Sequence, residues 1–304
     1  MKKMNYFIVD VFSQGKYTGN QLAVFRDTGN ISDREMQQIA EEINFSETTF
    51  IGSNYNDGYD VRIFTPAEEI PFAGHPALGT AYIIQNEIIK KPLNKLKVNF
   101  KAGEIPVSFD HQENSIWMKQ NEPSFGTILD IDQVCDVLKI DKGFVDERFP
   151  IQEVSTGLPV IVVPLKSLEA VKKVKIQKEK YYELIETLDA KGIIVFSPEA
   201  YHSENDLNVR DFADYYGIPE DAATGSSNGC LASYLVKYRY YEKREINLRV
   251  EQGYEIKRPS LLFLKASENN GRIDVNVGGR VVKIAQGEWF LSSSVHEKGV
   301  KFWK

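Results

Sequence analysis

Residues 61–82 read VRIFTPAEEIPFAGHPALGTAY, and residues 209–235 read VRDFADYYGIPEDAATGSSNGCLASYL. Val61 to Phe64 alternate like a half-buried strand, and Val209 to Phe212 do the same. Each strand is followed by a proline, then a glycine, then a run of small and apolar residues. The spacings repeat: Val61 to Val209 and Pro71 to Pro219 are both 148 positions, and Gly74 to Gly225 is 151. The second copy therefore carries three extra residues after its proline, within Glu220-Asp221-Ala222-Ala223. Coincidence is the competing reading, because four or five identities over about twenty positions also arise by chance. The shared order of strand, turn, glycine and apolar helix weighs against coincidence and for two related halves.

Gly74-His75-Pro76 reads as a helix start, since proline at the first helical position gives up no needed hydrogen bond. The helix runs through Leu78, Ala81, Tyr82, Ile84 and Ile88, apolar on most faces, with small residues at Gly79, Thr80 and Ala81. Such a helix is expected inside a sheet and closely packed. Leu231, Ala232, Tyr234, Leu235 and Val236 have the same character, with Thr224 or Ser226 as candidate cap. Two helix N-termini in equivalent places each offer unpaired N–H donors and the positive end of a helix dipole. Facing one cleft, they could hold a small anion without a basic side chain.

Elsewhere, Ser32-x-x-Glu35 is a capping box that opens an amphipathic helix with Met36, Ile39, Ala40 and Ile43 on one face. Thr48 to Ile51 then reads as a strand, which puts Glu47 where helix gives way to strand. Strand-like runs recur at 5–12, 96–100, 105–109, 158–165, 192–196, 246–250, 260–265 and 280–285. Linker signals fall at Lys91-Pro92-Leu93-Asn94 and at Asn121-Glu122-Pro123-Ser124. The second lies between the two copies. It predicts an N-terminal half over 1–121 and a C-terminal half over 122–304, whose last residues return to the first.

The 304 residues suit two domains or one large one, and 42% apolar with 26% charged residues excludes a disordered chain. The net charge of −6 repels nucleic acid and anionic membrane on average. Six lysines between Lys166 and Lys180 read as a solvated face rather than a nucleic-acid patch. Cys135 and Cys230 are too few for a disulfide framework, and Asp10 interrupts the apolar start, so no signal peptide and a cytoplasmic location are expected. No apolar run approaches the ~20 residues of a membrane span. His75, His111, His202 and His296 show no zinc spacing, and neither a phosphate loop nor a dinucleotide fingerprint is present, so no metal or cofactor is expected. Gly225-Ser226-Ser227-Asn228-Gly229 formally matches the GxSxG of serine hydrolases. That motif needs a strand directly before it, and residues 218–224 read as a loop; of the histidines, only His296 follows the serine.

Several segments together resemble the phenazine-biosynthesis isomerase-like (PhzF-like) family within the diaminopimelate epimerase fold superfamily. They are Asp10-Val11-Phe12 with Gly19-Asn20, Phe45-Ser46-Glu47-Thr48-Thr49-Phe50 and Arg62-Ile63-Phe64-Thr65-Pro66. Phe72-Ala73-Gly74-His75-Pro76-Ala77-Leu78-Gly79-Thr80-Ala81 and Glu220-Asp221-Ala222-Ala223-Thr224-Gly225-Ser226 follow. Weaker echoes are Thr156-Gly157-Leu158-Pro159, Gln252-Gly253 with Arg258-Pro259-Ser260, and Val277-Gly278-Gly279-Arg280-Val281. The segments span nearly the whole chain in the expected order.

The resemblance implies an α+β fold of two pseudo-symmetric halves, each a curved mixed sheet wrapped around a central helix, with the active site in the cleft between them. It implies a homodimer and cofactor-independent proton transfer on a small carboxylate-bearing substrate. Glu47 is then the general acid/base, with His75 and Asp221 as its catalytic companions. Gly74, Thr224, Gly225 and Ser226 occupy the substrate-holding positions. Related epimerases use two cysteines at comparable helix starts, and neither Cys135 nor Cys230 matches those positions. An amino-acid epimerase or racemase, and a binding protein without turnover, are the alternatives. Two departures are Ala222 where the family often has proline and Lys257 where it often has glycine, and they leave the substrate open. Taken singly, Glu47 would be a solvated acid, His75 a helix-start residue satisfied by backbone and Asp221 an idle loop acid; the motif context favours function for all three.

Overall fold

A computed structural model describes residues 3–29, 31–55 and 58–291; His296 lies outside them. The first copy contributes β1 (Lys3–Val11), β2 (Asn20–Arg26), α1 (Asp33–Ile43), β3 (Glu47–Tyr55), β4 (Gly58–Phe64), β5 (Glu69–Ile70), α2 (Gly74–Ile83), β6 (Lys95–Phe100), β7 (Gly103–Asp110) and β8 (Ser115–Lys119). Then come β9 (Ser124–Ile128), α3 (Ile131–Leu138), β10 (Gln152–Ser155), β11 (Pro159–Pro164), α4 (Leu168–Lys173), α5 (Lys178–Glu186) and β12 (Gly192–Ser197). The chain ends with β13 (Leu207–Ala213), β14 (Ile218–Asp221), α6 (Gly225–Lys237), β15 (Glu245–Gln252), β16 (Ser260–Asn269), β17 (Arg272–Gly279) and β18 (Val281–Phe290).

The duplication is visible in the pairing. β1–β2 is antiparallel, β2–β3 parallel, β3–β4 antiparallel, β4–β6 parallel, and β6–β7 and β7–β8 antiparallel. The ladder from β10 through β11, β12, β13, β15, β16 and β17 repeats the same succession of directions. β18 returns to the first copy by pairing with β1, and β9, just past residue 121, pairs with β10. The two ladders join where β8 meets β17.

Each sheet curls around one central helix. α2 packs on β1, β2, β3, β6, β7, β8 and β18, and α6 on β10, β11, β12, β15, β16 and β17. Both helices are buried nearly all round and share one apolar cluster that includes Leu78, Ala81, Ile83, Leu231, Leu235 and Val236. Gly79 permits the close approach, because a Cβ there would sit 2.6 Å from Leu22 Cδ2. Beyond Ile83 the helix continues as one π-helical turn, Ile84–Ile89, closed by Lys90 N–H on the Gln85 carbonyl at 2.8 Å.

The remaining helices cover the outer faces. α1 starts on the predicted cap, with Glu35 N–H donating to Ser32 Oγ at 3.2 Å, and lays Met36, Ile39 and Ala40 on Phe25, Phe50 and Phe64. On β11, Val160 and Val162 face the inner cluster while Ile161 and Val163 face the one under α3–α5, which is why that strand reads as an unbroken apolar run. The lysines of 166–180 sit on this outer layer, where Lys173 pairs with Glu169 at 3.5 Å and Lys178 with Asp214 at 2.8 Å. Among the described residues no helix is long and apolar enough to cross a membrane.

Candidate active site

The two central helices meet end to end. A Cβ placed on Gly74 would lie 3.6 Å from both Gly225 Cα and Ser226 N. α1, α3 and α4 are each capped by a side chain, from Ser32, Asp130 and Ser167, and α5 on the outer layer is uncapped; at the junction neither α2 nor α6 has a side-chain cap. Their first-turn N–H groups are therefore open to an anionic ligand, with both dipoles favouring it. This corrects the expectation that Thr224 or Ser226 caps α6. Thr224 occupies the N-cap position, but its hydroxyl turns away and donates to Asp221 Oδ2 at 2.6 Å. Ser226 lies within the first turn.

Glu47 opens β3 beside Leu22 of β2, and the parallel pairing aims it at the helix junction. Its Oε2 lies 3.4 Å from His75 Nε2, without hydrogen-bond geometry. Both atoms are buried and neither has a hydrogen-bond partner. Burial pushes the Glu47 carboxyl up to about 7, opposed by the Ser46 hydroxyl. Burial also pushes the His75 imidazole down to about 4, with the Asp221 charge and the Gln21 backbone pulling the other way. His75 is thus neutral at pH 7. With Nε2 as the lone-pair nitrogen of the neutral ring, a protonated Glu47 can donate to it and an ionised one cannot.

Asp221 ends β14 and arrives from the other half. Burial first, and then the Glu47 charge, raise it to about 6, while His75, Thr224 and Asn20 act in the opposite sense. Asn20 bridges the halves: its Nδ2 donates to Asp221 Oδ1 at 2.8 Å and to the Ala223 carbonyl at 3.1 Å, and its Oδ1 accepts from Ser46 Oγ at 3.4 Å. Gln252 braces the same corner, donating to the Asp221 carbonyl and to Thr224 Oγ1, both at 3.0 Å. Neither Asn20 nor Gln252 stood out as a site residue in the sequence, although each flanks a glycine within a segment of the family resemblance.

One other expectation changes. Residues 218–221 form a short strand, β14, rather than loop, because they pair with β13 across from Asp211 and Ala213. Ala222 to Thr224 still separate that strand from α6, and Ser227 lies inside the first helical turn with its hydroxyl against Asp211, not against an imidazole. An active-site serine probe such as a fluorophosphonate is therefore expected to leave Ser227 unlabelled, as read by mass spectrometry of the digested protein. Cys135 lies in α3 and Cys230 in the second turn of α6, so neither thiol stands at a central helix start. Among the described residues no group of three His, Cys, Asp or Glu side chains could hold a metal ion.

The chain also matches known proteins along its length. The family model described as phenazine biosynthesis-like protein covers residues 9–287. An uncharacterised isomerase from Clostridium acetobutylicum is 31% identical over 304 residues, spanning 96% of this chain and 100% of the relative. A Pseudomonas aeruginosa protein named trans-2,3-dihydro-3-hydroxyanthranilate isomerase is also 31% identical, over 94% of this chain and 99% of the relative. The crystal structure of a PhzF-family phenazine biosynthesis protein from Bacillus anthracis superposes with a TM-score of 0.88 at 26% identity, covering 96% of this chain and 100% of that one. With two helix-centred halves, a buried acid at their junction and these full-length matches, the chain belongs to the phenazine biosynthesis-like family of isomerases.

Proposed function

We propose that the protein moves a proton between two carbons of a small, carboxylate-bearing cyclic substrate, with Glu47 as the general acid/base. The observation that carries this reading is the buried Glu47 carboxyl, raised to about 7 and poised 3.4 Å from a neutral imidazole at the junction of two uncapped helices. An ordinary glutamate near pH ~4.3 is too weak a base for most carbon acids. Near neutrality the Glu47 carboxyl is about evenly divided between its two forms, which suits a group that takes a proton from one carbon and returns it to another.

The other groups divide the remaining work. The N–H donors around Gly74, Gly225 and Ser226 hold the substrate carboxylate and the negative charge that develops as the proton leaves. His75 Nε2 accepts a hydrogen bond from protonated Glu47 or from substrate. Asp221 keeps its charge at a slightly lower pH than Glu47, so the pair offers one acid and one base between about 6 and 7.

The substrate probe is trans-2,3-dihydro-3-hydroxyanthranilate, the compound in the Pseudomonas relative's name. Proton NMR in D₂O is expected to show isomerisation with deuterium entering the carbon that receives the proton. Exchange at Cα with an unchanged skeleton would identify an epimerase instead. Binding with no exchange by folded protein would identify a binding protein.

A further inference from the structure

The duplication singles out one residue that the mechanism does not use. β4 and β13 are equivalent strands, and Ile63 and Asp211 stand at the same 148-residue offset as Val61 and Val209. Ile63 contributes to the apolar core, whereas the second copy buries a carboxyl at 1% exposure. Asp211 is directly opposite Asp221 in the β13–β14 ladder. Directly opposed residues project from the same face, so the two acids are neighbours. Asp211 Oδ2 is out of reach of solvent and has no hydrogen-bond partner.

The hydroxyl of Thr224 stands between them. A hydroxyl has one proton and two acceptor sites. Thr224 commits its proton to Asp221 Oδ2 at 2.6 Å and accepts from Gln252 Nε2 at 3.0 Å. Its remaining lone pair is all it can offer Asp211, the other acid it touches. A carboxylate there would set lone pair against lone pair; a carboxylic acid would donate. The Ser227 hydroxyl favours the carboxylate, and burial with the neighbouring acids outweighs it in favour of the acid. Asp221 and Glu220 face Asp211 from β14, Cys230 and Ser227 from α6, and apolar Ile194 pairs with it on β12. The Arg210 guanidinium next along the strand is spent on Glu220, at 2.9 and 2.7 Å, and on the Val171 and Val174 carbonyls.

We propose that Asp211 is a positioning residue: as a buried neutral acid it donates to Thr224, whose hydroxyl then fixes the Asp221 carboxylate for turnover. Its influence on turnover rests on the reading of Asp221 as part of the active site; its protonation does not. Burial, reinforced by the Asp221 and Glu220 charges and opposed by the Ser227 and Thr224 hydroxyls, raises Asp211 to about 8, in keeping with a proton retained at neutral pH.

The first arm of the test needs no turnover. In protein labelled with ¹³C at aspartate carboxyls, the resonance that disappears in D211N or in D211I belongs to Asp211, so either folded variant assigns it. That resonance is expected to titrate between about pH 7 and 9, far above an ordinary aspartate. Titration near about pH 4 would overturn the proposal. The second arm is the pH profile of kcat/KM on trans-2,3-dihydro-3-hydroxyanthranilate. Beyond the limb that Glu47 sets near pH 7, the wild type is expected to fall further above about pH 8, where Asp211 ionises and the donor is lost. D211N keeps a neutral donor and is expected to abolish that fall. D211I, which installs the residue of the first copy, is expected to lose about tenfold or more in kcat with little change in KM, the size expected for one hydrogen bond supporting a charged group. Wild-type kcat and an unchanged profile in both variants would overturn the positioning role. Failure of the wild type to convert this compound would count against the proposed substrate, and the NMR titration would still decide the proton on Asp211.

Discussion

Glu47→Gln is expected to lower turnover by about 10³-fold, within the range of lost general acid/base catalysis, while making the protein more stable at pH 8. The two effects have one origin. Glu47 lies in a site that desolvates its charge, raising its carboxyl from 4.5 to about 7 in the folded protein. A carboxyl whose folded pKa lies above its unfolded one favours the fold when protonated. That contribution is complete below about pH 4.5 and is lost as the pH climbs through 7. Wild type therefore carries a cost above pH 7 on the order of 3–4 kcal/mol, at ~1.4 kcal/mol per pKa unit, which the neutral amide avoids. Urea unfolding of both proteins at pH 5 and pH 8 is the measurement. The variant is expected to gain on wild type mainly at pH 8. Equal stabilities at both pH values, or turnover within tenfold of wild type, would sink the assignment of Glu47.

Gly253→Ala is expected to destabilise the fold by about 3 kcal/mol and to lower kcat by about 10²-fold, although Gly253 touches no reacting group. Its φ is +79°, and a Cβ would meet the Arg258 carbonyl at 2.4 Å and the Ala222 carbonyl at 2.6 Å. Both obstacles are backbone, so no rotamer change relieves them. Arg258 is anchored in turn, to Asp10 Oδ1 at 2.8 Å and the Gly19 carbonyl at 3.0 Å. Ala222 follows Asp221 directly, so the yielding side displaces an acid of the site. Gly271 provides the control: its φ is also +79°, but nothing lies within 4 Å of a Cβ there. Gly271→Ala is expected to cost only about 1 kcal/mol and no activity. Thermal melts and kcat for both variants separate backbone strain from collision. Equal, small effects in the two would show that the corner beneath Asp221 is not rigid.

Much of the architecture was legible because it is written in local periodicity. The Ser32 cap, the apolar helices after Gly74 and Gly225 and the strand runs each depend on residues a few positions apart. The strands missed are β2, β5, β8, β9, β10, β14 and β17, and two of them show why a strand escapes a local reading. β9 is largely exposed along Ser124–Ile128, and β14 is four residues held by its pairing with β13. The duplicated pattern at 61–82 and 209–235 forecast two halves, and the family resemblance pointed to Glu47, His75 and Asp221 as a group.

What the chain could not show locally is why those groups differ from ordinary acids and an ordinary histidine. Glu47 and Asp221 come from separate halves, and their proton affinities are set by the water that folding removes and by each other's charge. Sequence alone made Thr224 or Ser226 the candidate helix cap; packing gave the Thr224 hydroxyl to Asp221 and left the two central helix starts without a side-chain cap. Sequence placed Asp211 on a strand; only the ladder set it across from Asp221. Periodicity is a property of neighbours along the chain and can be read from it. Desolvation, hydrogen-bond choice and charge coupling are properties of neighbours in space, and only the folded protein brings those together.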